Sequence, residues 1–259
     1  MLIALTRPVS PTLTECELTH LARAPIDVAK AEAQHAAYEA LLASLGATVV
    51  SVPAAPAFPD AVFIEDTALV LDEVAVLTRP GAEARRGELT GVAATLERYR
   101  SVVRMEAPAT LDGGDVLRLG RTLYVGRSAR TNAQGIEQLA RLVHPYDYHV
   151  VPVALEGCLH LKSAVTAVAD RVLLYNPAWV SASAFPGCDT MPVAPSEPYG
   201  ANGLRIAGSV VYAAQFPITR ALLEERGLRV APVDCSELAK AEGAVTCCSL
   251  VFDDVAPVH

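Results

Sequence analysis

Apolar and polar positions alternate with a period of two in four short stretches, each folding back on itself around a polar or glycine-containing turn. They are TALVLDEVAVLT (67–78), DVLRLGRTLYVG (115–126), AVTAVADRVLLYN (164–176) and GLRIAGSVVYAA (203–214), with turns at 72, 120, 170 and 208. Each reads as a β-hairpin. Helical periodicity follows three of them, in TRPGAEARRGELTGVAATLERYR (78–100), GRSARTNAQGIEQLARLV (126–143) and FPITRALLEERG (216–227). A short β-branched run expected to stop at proline comes next: VVRMEAP, YHVVPV and LRVAPVD. The unit is therefore strand, strand, helix, strand. In the third copy PAWVSASAFPGCDTMPV (177–193) leaves room for only a brief helix.

A spacing of about 40 to 50 residues between copies indicates a repeat architecture. A fifth copy emerges when the ends are joined. CCSLVF (247–252) and LIALTRP (2–8) supply its hairpin strands, VAKAEAQHAAYEALLASLG (28–46) its helix and TVVSVP (48–53) its last strand. The expectation is one α/β domain over residues 1–259, with five ββαβ-type units around an axis and the N- and C-terminal strands sharing a blade. An ordinary open α/β sheet is the alternative.

Polar or reactive clusters sit just ahead of each first hairpin strand: FIEDT (Glu65, Asp66), TLDGGD (Asp112, Asp115), CLHLKS (His160, Lys162), YGANG (Asn202) and VTCCS (Cys247, Cys248). Equivalent positions in a ring converge on the axis, so these groups are expected in one pocket. A thiol is a strong nucleophile only as thiolate, which a neighbouring imidazolium or cationic substrate favours. Histidine then shuttles the proton, and a carboxylate beside it fixes its tautomer. Taken singly, each residue has a plainer reading: a buried cysteine as a small core hydrophobe, His160 as a satisfied core histidine, LDGGD as a turn. Arg85 and Arg130 fall where a hairpin gives way to a helix, which places them at the pocket rim. There they suit an α-carboxylate, and the additional carboxylates suit a guanidinium. Of the adjacent cysteines, Cys247 is expected to face the axis and Cys248 to pack behind it.

The formal charge of −8 disfavours nucleic acid and anionic membranes as partners and favours a small cation. No apolar run approaches the roughly 20 residues of a membrane span, and MLIALTRPVSP lacks a signal-peptide pattern. A cytoplasmic location with six reduced cysteines is expected, since no CxxC spacing is present. The polar stretch TLTECELTH (12–20) is a candidate flap or an ordinary loop. A homo-oligomer is left open.

The ordered set FPDAVFIED, TRPGAEARRGE, TLDGGDV, SARTN, LHLKS, YGANG and TCCS resembles the guanidine-modifying pentein superfamily, most of all the dimethylarginine dimethylaminohydrolases. The likeness spans nearly the whole chain. It implies a five-bladed α/β propeller that hydrolyses Nω-methylated arginines to citrulline with no metal or organic cofactor. It also implies Cys247 as nucleophile, His160 as proton shuttle and Asp112 as its orienting partner. Asp60 and Asp66 would hold the guanidinium with Glu65 supporting the same wall, Arg85 and Arg130 the α-carboxylate, and main-chain groups of Leu18 and Ala241 the α-amino end. Arginine and agmatine deiminases carry an aspartate two residues after the histidine. Here that position is Lys162, which favours a methylated nitrogen with fewer hydrogens to donate. A deiminase or amidinotransferase, or a non-catalytic pentein such as a ribosome anti-association factor, are the rival readings. Zn²⁺ on Cys247, His160 and a carboxylate is expected to inhibit.

Overall fold

The computed structural model describes residues 1–254 and contains five three-stranded sheets. In chain order the strands are β1 (Leu2–Thr6), β2 (Thr48–Ser51), β3 (Ala68–Val70), β4 (Val74–Leu77), β5 (Ser101–Arg104), β6 (Val116–Leu119), β7 (Thr122–Arg127) and β8 (His149–Ala154). They continue with β9 (Val165–Ala169), β10 (Val172–Tyr175), β11 (Asp189–Pro192), β12 (Gly203–Ile206), β13 (Ser209–Ala213), β14 (Arg229–Val233) and β15 (Leu250–Asp253). Each sheet has an antiparallel hairpin with a third strand added in parallel. The orders are β15-β1-β2, β3-β4-β5, β6-β7-β8, β9-β10-β11 and β12-β13-β14. Both ends of the chain meet in the first blade, where Leu2 opposes Asp253 and Leu5 opposes Leu250.

The helices connecting hairpin to third strand are α1 (Val28–Ser44), α2 (Leu89–Leu96), α3 (Ala133–Val143) and, in the last blade, a helix over Pro217–Glu225. In the fourth blade a single 3-10 turn, Ala182–Ala184, takes that role, as the shortened sequence indicates. Asp27 caps α1 by accepting from Lys30 N at 3.0 Å. Asn132 caps α3 through Gly135 N at 2.7 Å and also takes Thr110 N at 3.0 Å, fixing the segment that leads into Asp112. Such caps are worth about 1 kcal/mol each. Apolar side chains of sheets and helices form the core away from the axis. One cluster joins Leu71, Val76, Leu111, Leu123 and Leu139; another joins Leu5, Ile64, Leu77, Val92 and Leu96. Ala207 and Gly208 both adopt positive φ (46° and 75°) in the two-residue turn between β12 and β13, matching the strand twist there.

Two expectations need correction. Pro152 and Pro232 do not stop strands but lie inside β8 and β14, opposite Val125 and Tyr212. Both strands are sheet edges, where a residue without an N–H leaves no ladder bond broken. Cys247 and Cys248 are not in a strand, because β15 starts only at Leu250. They occupy a turn closed by Cys247 N to Ala244 O (3.2 Å) and Ser249 N to Thr246 O (3.4 Å).

Candidate active site

The chain enters four of the five hairpins through a short helical or hydrogen-bonded turn: Ile64–Thr67, Gly113–Asp115, α4 (Leu161–Ala164) and 246–249. These turns and Asn202 of the fifth blade are joined around the axis by hydrogen bonds, one set of which runs round the whole ring in a single direction. Gly114 N donates to Asp66 Oδ1 (2.9 Å) and Leu161 N to Asp115 Oδ1 (2.9 Å). Asn202 Nδ2 donates to Lys162 O (3.0 Å) and Thr246 N to Asn202 Oδ1 (3.1 Å). Glu65 N closes the circle on Cys247 O at 3.0 Å. Every blade thus hands a donor to its predecessor, and none of these polar turns is buried unpaired. Gly114 is required here, since a Cβ would stand 2.7 Å from His160 Nδ1 and 2.8 Å from Asp66 Oδ1.

Above this ring is a cavity walled by Asp60, Asp66, Arg85, Arg130, His160, Ala241 and Cys247 among others. His160 Nε2 lies 3.0 Å from Asp112 Oδ2, and its Nδ1 is 3.9 Å from Asp66 Oδ1. Gly81 N holds the other Asp112 oxygen at 2.9 Å. Burial by itself would lower the imidazole pKa. The charge of Asp66, the hydrogen bond with Asp112 and the charge of Asp115 outweigh burial and raise it to about 9. Asp66 is held down to about 2, against its own burial, by His160, Arg85 and the Gly114 N–H. The Cys247 thiol is pushed up by burial and by the charges of Glu65 and Asp66. Cys248 is 2% exposed and packs in an apolar cluster with Tyr38, Leu238 and Val245. The two sulfurs therefore differ as expected, although a turn rather than strand alternation separates them.

Asp66, Asp112, His160 and Cys247 do not share one phase of the repeat. Asp66 precedes its strand most closely and His160 from furthest away, because one helical turn spreads them around the axis. Asp66, Asp112 and His160 present ligand atoms within 4.8 Å of one another, a grouping that does not include the Cys247 sulfur.

Arg85 is buried and occupied. Its guanidinium spans Asp66 (Nη1, 2.6 Å) and Glu88 (Nε 3.1 Å, Nη2 2.9 Å), and Nη2 also donates to Phe63 O at 3.0 Å. One Nη1 hydrogen is left for a ligand. Arg130 is freer: Nη2 donates to Thr19 Oγ1 at 3.2 Å and Nη1 stands 3.8 Å from Asp112. Asp60 accepts from Glu17 N at 3.1 Å, and burial raises its pKa although Arg85 opposes this. Glu65 bonds to the site through its backbone N–H and otherwise acts on the Cys247 thiol through its charge. Its carboxylate is taken by Lys162 Nζ (2.5 Å) and Thr246 Oγ1 (2.8 Å). Ala241 is on the cavity wall, and Leu18 packs against the neighbouring apolar cluster.

Sequence reasoning assigned no role to Asp115, yet it organises the floor. One oxygen holds Leu161 N beside His160; the other accepts from Ser128 Oγ and Thr131 Oγ1, both at 2.6 Å. Thr131 Oγ1 in turn receives Asp112 N at 3.2 Å. Its place in LDGGD was visible, but its partners were not.

A five-bladed α/β ring with a cysteine, a histidine–aspartate pair and opposed carboxylates and arginines defines a guanidine-modifying enzyme of the pentein class. A family model described as "N,N dimethylarginine dimethylhydrolase, eukaryotic" matches residues 21–178. An N(G),N(G)-dimethylarginine dimethylaminohydrolase of Streptomyces coelicolor is 42% identical over 250 residues, covering 95% of each chain. The Pseudomonas aeruginosa enzyme of that name is 37% identical over 228 residues, covering 87% of this chain and 90% of its own. A solved structure of the P. aeruginosa enzyme, a cysteine-to-serine mutant with citrulline, superposes with a TM-score of 0.92 at 35% identity, covering 96% and 98% of the two chains. A histidine-to-glycine dimethylarginine dimethylaminohydrolase, as an adduct with S-methyl-L-thiocitrulline, gives 0.91 at 35% identity, covering 97% and 100%. The chain belongs to the dimethylarginine dimethylaminohydrolase family.

Proposed function

We propose that the protein hydrolyses asymmetric dimethylarginine and monomethylarginine to L-citrulline plus dimethylamine or methylamine, through a covalent intermediate on Cys247. The observation that carries this is one cavity lined by Cys247, His160, Asp60 and Asp66 and also by Arg130. That layout matches a substrate with a cationic head and an anionic tail.

In the free protein the thiol is kept neutral by burial and by the carboxylates of Glu65 and Asp66. A guanidinium entering between Asp60 and Asp66 offsets those charges, so the thiol ionises as substrate binds and its proton leaves to solvent. The thiolate adds to the guanidinium carbon. His160, protonated through its contacts with Asp66 and Asp112, gives a proton to the departing amine. The carbon–nitrogen bond breaks and a thiouronium remains on Cys247. Neutral His160 then takes a proton from water, which adds to the same carbon, and collapse expels the thiolate and releases citrulline as the remaining hydroxyl proton passes to solvent. Arg130 holds the α-carboxylate with its open fork and Arg85 adds one N–H. Main-chain groups at Leu18 and Ala241 receive the α-amino end. No metal or organic cofactor enters these steps.

Lys162, paired with Glu65, takes the sequence position at which arginine and agmatine deiminases carry an aspartate, and the missing carboxylate supports methylated over free arginine. Incubation with asymmetric dimethylarginine should release citrulline and dimethylamine in equal amounts, with free arginine yielding little ammonia. Ammonia from free arginine as the main product would instead identify a deiminase, and no turnover of any guanidine compound would identify a binding protein.

A further inference from the structure

Segment 17–21 borders the catalytic cavity, with Thr19 and His20 exposed and Glu17 on the cavity wall. Three charged side chains hold it. Asp60 takes Glu17 N (3.1 Å) and Arg130 reaches Thr19 Oγ1 (3.2 Å). The third is Glu242, whose carboxylate gathers three successive backbone donors: Thr19 N at 2.9 Å, His20 N at 2.5 Å and Leu21 N at 2.6 Å. Charge-assisted bonds of this kind are roughly twice as strong as neutral ones.

Glu242 is set for this by its own backbone. It adopts φ 58°, a left-handed conformation costly for a side chain with a Cβ, and the turn is fixed by Glu242 N to Ala239 O (3.1 Å) and Gly243 N to Leu238 O (3.1 Å). The residue lines both the catalytic cavity and a second, larger pocket that His20 and Leu21 also line.

The three holds differ in what substrate does to them. On the reading proposed above, Asp60 and Arg130 are ligands for the substrate's guanidinium and α-carboxylate, so binding draws both away from Glu17 and Thr19. Glu242 has no such competing partner. We infer that Glu242 is a positioning residue that keeps segment 17–21 closed over the occupied site, retaining substrate without touching the reacting atoms.

The test uses Glu242→Gln, which removes the charge and gives the loop a donor in place of one acceptor, and Glu242→Gly, which removes the latch while relieving the left-handed backbone. Both should raise KM for asymmetric dimethylarginine about tenfold, the scale of one lost charge-assisted bond, with kcat changed less than about threefold. Trypsin cleavage after Arg23 should accelerate by a similar factor in both, and citrulline should protect the wild type more than either variant. Unchanged KM and unchanged cleavage in both folded variants would overturn the inference. So would a loss confined to kcat, which would place Glu242 in the chemistry instead. Cleavage at Arg23 reads the latch independently of turnover. A wild type inactive on methylarginines would therefore sink the functional reading while the latch itself is still decided by proteolysis.

Discussion

The floor and the roof of the cavity are built on opposite principles. On the floor, turns from different blades are bonded to one another before any ligand arrives, and Asp66, Asp112, Asp115 and His160 are each 5% exposed or less. Their positions are set by the closure of the ring. The roof is an exposed segment fastened by Glu242 and by two side chains, Asp60 and Arg130, that on the proposed function also serve the ligand. Reacting groups benefit from preorganisation, since stabilisation fixed in advance needs no rearrangement during the reaction. A binding edge must instead open and close.

This contrast can be broken most sharply at Asp112. Asp112→Asn keeps the shape but presents an amide N–H to His160 Nε2, so the ring is left neutral and in the wrong tautomer. The expected loss in kcat is about 10³-fold, with KM little changed, measured by steady-state citrulline formation. A loss that appears mainly in KM would mean that the floor is not preorganised.

Titration of the floor gives the next effect. The His160 pKa is raised from 6.5 to about 9 in the folded protein. Its protonation therefore favours folding fully below pH 6.5, and that contribution is lost as pH rises from 6.5 through about 9. The shift corresponds to about 3 kcal/mol. Chemical denaturation of the wild type and of His160→Gln at pH 6 and pH 9.5 should show a stability difference that shrinks at the higher pH. A difference independent of pH would contradict the charge assignment.

The smallest effect belongs to the roof. Arg130→Lys keeps the charge but loses the bidentate fork. KM should rise about tenfold with kcat nearly constant, as expected for a single recognition contact. An equal fall in kcat would make Arg130 part of the floor.

Much of this architecture was legible in the chain. Alternation around 72, 120, 170 and 208 gave the hairpins, and the apolar character of 247–252 and 2–8 paired the ends in one blade. Prolines misled because edge strands tolerate them. The axial turns were legible only as polar clusters ahead of the strands, because they are only three or four residues long in three of the blades, too short for a periodicity to register. Residue types marked Cys247, His160 and Asp112, but nothing in a sequence tells that the carboxylate of Glu65 is spent on Lys162 and Thr246. Glu242 escaped notice for a different reason. Its partners are backbone N–H groups more than 200 positions away, and backbone donors leave no signature.

The central claim is that one of two adjacent thiols at the axis carries the substrate carbon. Acid quenching of the enzyme during turnover of asymmetric dimethylarginine, followed by peptide mapping, tests it directly. The account predicts an amidino adduct on Cys247 with Cys248 unmodified, and no adduct in Cys247→Ser. An adduct on Cys248, or continued turnover by Cys247→Ser, would contradict it.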